Sequence, residues 1–489
     1  MGNIALGYVG YTTFTCGIAC ISHVSHINMA ITTLVSPTPF VGSRRRRVLT
    51  LALPAVGEQL LNMLVGLVDV FLVGHLSLQA AAQLGYGSAA ALAGVGLGGY
   101  VIWIVTTLFM AVGAGATALV ARATGANDPA TVQRATQQAL ILGLAMGVVA
   151  GIFCWFGAGW SMELFKAAPD VAPLGAQFLQ IAAWTMPLSG LLFVGNAVLR
   201  GVGNTTTPLL LMLAVNGLNI VLALLLVNGV GGLPVLGVAG SGWAAAAGRG
   251  LGGVLVLLVL MRQRSAVRLR SWPRLDWDML RRILRIGVPT GGEQFVFQAA
   301  LVLFSRQITG LGTIAYAAHN TVITIESVSF LPGFGFAVAA TTLVGQTLGA
   351  KDQAEARAST REAVLQAVVF MGVMGLLFIS VPHLLMRLLV NDPAVVAAGA
   401  NSLRIVGLIQ PLLAANFVFS GGLRGAGDTR FPLLIKIISP WLVRLPLAFF
   451  LIPWLGLTGA WIAVSTDLAL QGVLSWWRFR GNAWERIDV

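Results

Sequence analysis

Charge is what this sequence lacks. Asp, Glu, Lys and Arg make up only 10% of its 489 residues, against 57% in the apolar set, and the mean hydropathy is +0.85. A soluble chain carries roughly 25% charged residues, so a chain this poor in charge cannot clothe a water-facing surface and must use lipid as its solvent. Cysteine is scarce too: Cys16, Cys20 and Cys154 give neither a disulfide framework nor metal-ligand spacing. The five histidines are scattered. No nucleophile–base pair, metal cluster or phosphate-binding loop can be read, which argues against an enzyme and against a cofactor. Residues 1–43 hold no Lys, Arg, Asp or Glu and precede the cluster Arg44–Arg47. A signal peptide wants its positive charges before the apolar run, so 1–43 is expected to be a poorly ordered extension, with Met29 an alternative start.

What is present is repetition of long apolar runs. They cover 48–74, 83–113, 131–157, 171–199, 205–228 and 236–261, then 286–309, 312–345, 356–381, 394–423, 431–452 and 456–478. At a rise of about 1.5 Å per residue, about 20 residues cross the hydrocarbon core, so each run is long enough and twelve transmembrane helices are expected. Charge placement fits that count. Counted over alternate connections, 23 Lys and Arg fall on one side against Lys166 and Arg387 on the other. The bias puts both termini and the long central loop in the cytoplasm, as expected for a plasma (inner) membrane protein. The net charge of +13 is thus a topology signal, and no nucleic-acid partner is expected.

The chain also repeats itself. Leu199-Arg-Gly-Val-Gly-Asn-Thr-Thr-Thr-Pro-Leu-Leu210 returns as Leu423-Arg-Gly-Ala-Gly-Asp-Thr-Arg-Phe-Pro-Leu-Leu434, and Gly125-Ala-Asn-Asp128 returns as Gly349-Ala-Lys-Asp352, both at an offset of 224. Pro54-Ala-Val-Gly-Glu-Gln59 pairs with Pro289-Thr-Gly-Gly-Glu-Gln294 at 235. An even number of helices per repeat makes the halves parallel, an arrangement that transporters use to rock two bundles around a central cleft. The expected division is an N-terminal lobe at 44–261, a cytoplasmic linker at 262–285, a C-terminal lobe at 286–480 and a tail at 481–489.

An ionised carboxylate inside the membrane costs at least about 2.5 kcal/mol, so it is a functional candidate by default. Five stand out. Asp69 lies near the outer end of the first helix, and its repeat counterpart is Phe304; a carboxylate demanded by the scaffold alone should tend to recur. The bland alternative is a wetted polar residue near the surface. Glu58 lies eleven residues earlier on nearly the same helical face, about 16 Å along the axis, and its twin Glu293 occupies the same place in the second half. The two either flank the cleft or satisfy backbone groups freed by the neighbouring prolines. Glu326 sits near Pro332 and could face the cleft. Asp467 is expected to pair with Arg444 as a structural couple. Trp103, Trp184, Tyr100 and Met186 are candidates for lining a promiscuous cleft, although packing is the commoner use.

At these motifs the chain resembles the multidrug and toxic compound extrusion (MATE) family. The resemblance rests on Val68-Asp-Val-Phe-Leu-Val-Gly-His75, on Thr342-Leu-Val-Gly-Gln-Thr-Leu-Gly-Ala350, on both Leu-Arg-Gly-x-Gly-x-Thr loops and on Arg444-Leu-Pro-Leu, Gly456-Leu-Thr-Gly-Ala-Trp461 and Asp467. It covers roughly 45–480, in order and in both halves. It implies a secondary active antiporter, monomeric, that exports cationic or amphipathic organic compounds in exchange for protons or sodium by alternating access. It also implies that Asp69, Asn196 and Asn219 serve cation coupling. The chain departs from the family pattern where other members carry further acids: Ala223, Phe297 and Leu413 stand there. One acid with amides suits protons better than a multi-carboxylate sodium site, and sodium stays open. The alternative within the same superfamily is a flippase for a lipid-linked precursor, which would turn several cations toward a pyrophosphate.

Overall fold

The computed structural model describes residues 43–76, 82–262 and 275–487. The extension expected over 1–43 lies outside them except for Ser43, as does half of the expected linker, 263–274. Among the described residues there is no strand. The longer helices of the first half are α1 (Arg44–Gly74), α2 (Ser88–Gly125), α3 (Pro129–Phe156), α4 (Ala172–Ala183), α5 (Met186–Gly201), α6 (Thr206–Val227) and α7 (Gly237–Arg262). Those of the second are α8 (Trp277–Thr309), α9 (Thr313–Gly349), α10 (Gln353–Ser380), α11 (Pro393–Gly425), α12 (Arg430–Ser439) and α13 (Leu445–Arg480).

Nine stretches of the described chain are long and apolar enough to cross a membrane, and ten if α4 and α5, bent by 63° at Trp184–Thr185, form one span. Twelve were expected, and the difference has two sources. Helix α8 is 33 residues long, but Glu293, Gln294 and Gln298 interrupt its most apolar part. The run Arg430–Arg480 counts as one stretch of 51 residues, yet it turns back on itself. Gly456 takes φ 57° and ψ −135°, a left-handed conformation that costs glycine nothing. Beyond it Gly459 packs against the Leu451 backbone, Arg444 meets Asp467 and Lys436 meets Gln471. The two limbs, 430–455 and 457–480, are antiparallel.

The repeated motifs are turn chemistry. Asn127 and Lys351 both adopt positive φ, 54° and 60°. Asp128 and Asp352 then cap α3 and α10, accepting from the amides of Thr131 and Glu355 at 3.0 and 2.9 Å. Thr131 donates its hydroxyl and its amide to Asp128, which holds that carboxyl below its ordinary range.

The lobe boundary differs from the expected one. Helix α8 begins inside the expected linker, at Trp277, because Asp276 caps it through the amides of Asp278 and Met279. Its first turns bury Met279, Ile283 and Ile286 in the core of the N-lobe, against Val112, Ala116 and Val198. Conversely, Val48, Leu51 and Ala52 at the start of α1 join the C-lobe core with Phe336, Ala340 and Leu343. Each lobe therefore lends the first turns of its first helix to the other. The expected tail is also packed down: Trp484 is buried, stacks on Phe479 at 4.5 Å, and is followed by Glu485, which pairs with Arg357.

Candidate functional site

The basic loops gather at one end of the bundle, and most of the polar bonds that join the lobes lie there. Glu355 of α10 accepts from Arg44 at 2.9 Å and from Arg47 of α1. Thr342 donates to the Arg200 carbonyl at 2.9 Å, Gln346 to the Gly201 carbonyl at 3.1 Å, and Arg122 to the Ile487 carbonyl at 2.6 Å. Helices α2 and α9 cross so closely that a Cβ on Gly125 would lie 1.8 Å from the Gln346 carbonyl oxygen, and one on Gly349 2.0 Å from that of Arg122. Only glycine permits that reciprocal approach.

Above this base stand the expected carboxylates. Arg200 donates to both oxygens of Glu58, at 2.9 and 3.1 Å, and Arg424 donates to Glu293 at 2.7 Å. These pairs join the two classes of repeat: the Glu of each Pro-x-x-Gly-Glu-Gln to the Arg of each Leu-Arg-Gly-x-Gly-x-Thr. Both glutamates are buried while the arginine side chains keep about a fifth of their surface open. Each arginine thus reaches from the basic end to neutralise an acid inside, and a symmetric fold repeats the device.

In the C-lobe the polar groups form a connected chain. Arg444 holds Asp467 through Nε at 2.7 Å and Nη2 at 2.6 Å, and Ser439 and Gln471 donate to the other oxygen of Asp467, Gln471 at 2.8 Å. Gln471 accepts from Lys436 at 2.7 Å and from Asn416 at 3.3 Å, and Ser475 donates to Asn416 at 3.1 Å. A turn of π-helix at Pro440–Arg444 adds one residue to the winding there, delivering Arg444 to Asp467. Lys436 lies 4.4 Å from the centre of the Phe297 ring, and Arg444 lies 5.7 Å from that of Phe304. Glu326 is buried on α9 within the field of Arg444. His319 is also buried and packs on Phe304 and Trp461 at 5.8 and 5.4 Å. Sequence reasoning found the Arg444–Asp467 pair but missed His319 and the polar chain. The signal was present: Asp467, Gln471 and Ser475 recur every four residues, as do Asn416 and Ser420, a polar stripe on one helical face.

The N-lobe is different. Asp69 is half-buried on α1, with Oδ1 enclosed and no hydrogen-bond partner, and it faces the charge of Arg249 on α7. Asn196 on α5 and Asn219 on α6 are buried, each with an unpartnered Oδ1, and Asn216 has an unpartnered Nδ2. Among the described residues no hydrogen bond joins Asp69, Asn196 and Asn219, although all three belong to this lobe. Buried acceptors are nearly always satisfied, so three orphaned oxygens on three helices of one lobe are an unusual concentration. An anion and two amide oxygens are the donor set that a small cation or a proton-carrying water takes. Of the aromatic candidates, Tyr100 bridges the lobes by accepting from Gln298 at 3.1 Å, and Trp103 stacks on it at 6.1 Å. Trp184 is exposed at the α4–α5 bend and Met186 is core.

An all-helical bundle of long apolar spans in two related lobes, with buried ion pairs and amides, defines an integral membrane protein of the transporter class. The family profile of MatE matches residues 54–225 and 289–450, one block in each lobe. The chain belongs to the MatE family, whose members are transporters and not enzymes. It is similar to a Thermotoga maritima protein described as a probable multidrug resistance protein NorM, 32% identical over 460 residues, 93% of this chain and 96% of that one. A Rhodopseudomonas palustris protein of the same description is 30% identical over 444 residues, 88% of this chain and 90% of that one. The fold also matches a crystal structure of MATE in the straight conformation with a TM-score of 0.81 and 20% identity, over 90% of this chain and 96% of that one.

Proposed function

We propose that the protein is a multidrug exporter of the plasma (inner) membrane that expels cationic or amphipathic organic compounds in exchange for a cation, and that it works as a monomer. The similarity to proteins described as probable NorM multidrug resistance proteins supports the substrate class. The observation that carries the coupling is the N-lobe set: Asp69 with an enclosed, unbonded oxygen, together with the orphaned oxygens of Asn196 and Asn219 in the same lobe. As an anion Asp69 attracts a cation, and its protonation cancels that attraction and changes what the carboxyl can donate. Protons are the preferred coupling ion, since one acid and two amides offer sodium little charge; sodium is the alternative. Glu58 and Glu293, each paired with an arginine, act as braces that hold the two lobes' repeated loops to their first helices, and the Arg444–Asp467 pair braces the C-lobe. Glu326, buried without a hydrogen-bond partner among the described residues, is a further cleft acid. Reading the return limb at Gly456 and helix α8 as crossings yields the twelve-helix topology with both termini cytoplasmic. The interlobe bonds then close the cytoplasmic side. A flippase is less well supported, because Lys436 and Arg444 are engaged by Gln471 and Asp467 rather than turned toward a pyrophosphate.

The test is transport by everted vesicles from an efflux-deficient host. Adding a cationic dye to vesicles energised with a proton gradient should release protons only when the protein is present, and a sodium gradient in its place should give little release. No dye-stimulated release with either ion would sink the proposal, and release with sodium alone would reassign the coupling ion.

A further inference from the structure

The basic end of the C-lobe carries a cavity of about 500 Å³ where α8, the start of α12 and the end of α13 meet. Arg282, Arg285, Arg430 and Arg478 line it, with Phe431 and Leu434 as apolar lining. Asp428, the one acid lining it among the described residues, is already engaged: it accepts from Arg478 at 2.7 Å, and the Arg478 guanidinium lies 5.2 Å from the centre of the Phe431 ring. Arg282, Arg285 and Arg430 are exposed and have no ion-pair partner among the described residues. A second cavity at this end, about 520 Å³, is lined by Arg44, Arg357, Arg361 and Glu362, and there Glu355 and Glu485 neutralise Arg44 and Arg357. Of these two cavities, the one by α12 keeps three arginines without an ion pair among the described residues.

The repeat supplies an internal control. The N-lobe loop at the same place closes on itself: Asn204 accepts from the amide of Thr207 at 3.0 Å and donates to its hydroxyl at 2.9 Å, capping the start of α6. In the C-lobe Asp428 replaces Asn204, turns to Arg478, and leaves α12 with no side-chain cap. Arg430 and Phe431 stand where the N-lobe has Thr206 and Thr207. The C-lobe thus exchanges a self-satisfied turn for an uncapped helix start, whose amides favour an anion, beside arginines whose forks match phosphate oxygens. The surroundings name the source of that phosphate. Leu284, Leu434 and Trp477 next to the cavity are exposed and apolar, and the Phe431 and Trp477 rings pack at a tilt, their centres 6.2 Å apart. Such a rim suits acyl chains and a headgroup better than a freely dissolved anion.

We propose that this cavity binds the headgroup phosphate of an anionic phospholipid, held by Arg282, Arg285 and Arg430. The site is independent of the cation site in the N-lobe.

Native mass spectrometry of the full chain, released from nanodiscs containing equal phosphatidylglycerol and phosphatidylcholine, tests the proposal. Phosphatidylglycerol should be retained preferentially. The triple substitution R282Q/R285Q/R430Q should abolish the preference, and the triple Arg→Lys substitution should keep most of it. The single exposed change Arg430→Gln, which leaves the fold's cores untouched, should weaken retention about fivefold. Equal retention of phosphatidylglycerol by the wild type and by Arg430→Gln would overturn the assignment. So would displacement of the lipid by millimolar inorganic phosphate, which would make the site one for a soluble anion.

Discussion

The two lobes are built from one plan and treat charge in opposite ways. In the C-lobe, Asp467 is fully buried and both its oxygens are bonded, to Arg444, Ser439 and Gln471. In the N-lobe, Asp69 keeps an enclosed oxygen without a partner, and the charge facing it, Arg249, stands off without forming a salt bridge. The counterpart of Asp69 is Phe304, a buried ring beside His319 and Arg444. A bonded carboxylate holds helices together. An unbonded one keeps its affinity for something that arrives and leaves. One repeated plan supplies two scaffolds, and the difference between them is where function is to be sought.

The largest effect is expected on the rigid side. Asp467→Asn removes the countercharge of a guanidinium that is itself buried, and should destabilise the protein by about 3–5 kcal/mol, with a large fall in melting temperature in detergent. An unchanged melting temperature would show that the C-lobe pair is not a structural brace. Glu293→Gln and Glu58→Gln should cost less, about 1–3 kcal/mol each, because Arg424 and Arg200 can turn toward water at the basic end. The two should cost similar amounts, since the pairs are repeats of one another. A loss of transport at wild-type melting temperature in either would instead make that glutamate part of the transport path.

Gly125→Ala should act on conformation. The added methyl would collide with the Gln346 carbonyl, so the state closed at the basic end should lose about 1–3 kcal/mol. Spin labels placed at Ala126 and Ala350 should then report longer separations than in the wild type; an unchanged distance distribution would mean that this crossing is not a gate. The smallest effects belong to the helix caps. Asp352→Ala should cost about 1 kcal/mol. The folded-state carboxyl of Asp128 titrates below its ordinary value of 3.8 because Thr131 bonds its anion. Its contribution is therefore complete above that ordinary value and is lost as the pH falls through the lowered one. Asp128→Asn should remove this acid sensitivity while keeping the cap, measurable as melting temperature against pH.

Much of the architecture could be read from the chain because lipid imposes a simple rule: long apolar runs, charges between them, polar residues inside only where needed. The repeats at 125 and 349, and at 199 and 423, marked the turns that hold the lobes together. The ion pairs that join Glu58 to Arg200 and Glu293 to Arg424 connect motifs that recur separately, and no single-helix pattern reveals such a partnership. Hydropathy reports which residues avoid water, not which bundle receives them, so the exchange of Val48–Ala52 and Met279–Ile286 between lobes was hidden. The start of α8 looked like a linker because Arg281, Arg282 and Arg285 crowd it, although Asp276 was a legible cap. Asp69 stood out by the absence of a twin. Its unpartnered oxygen, and those of Asn196 and Asn219, needed the packed helices.

Asp69 is tested most directly by dye-driven proton release from everted vesicles containing wild type or Asp69→Asn at equal protein levels. Loss of coupled release in the variant, with dye binding and melting temperature retained, is the predicted result. Release at the wild-type rate from Asp69→Asn would contradict the claim that the unbonded carboxylate of the N-lobe carries the coupling ion.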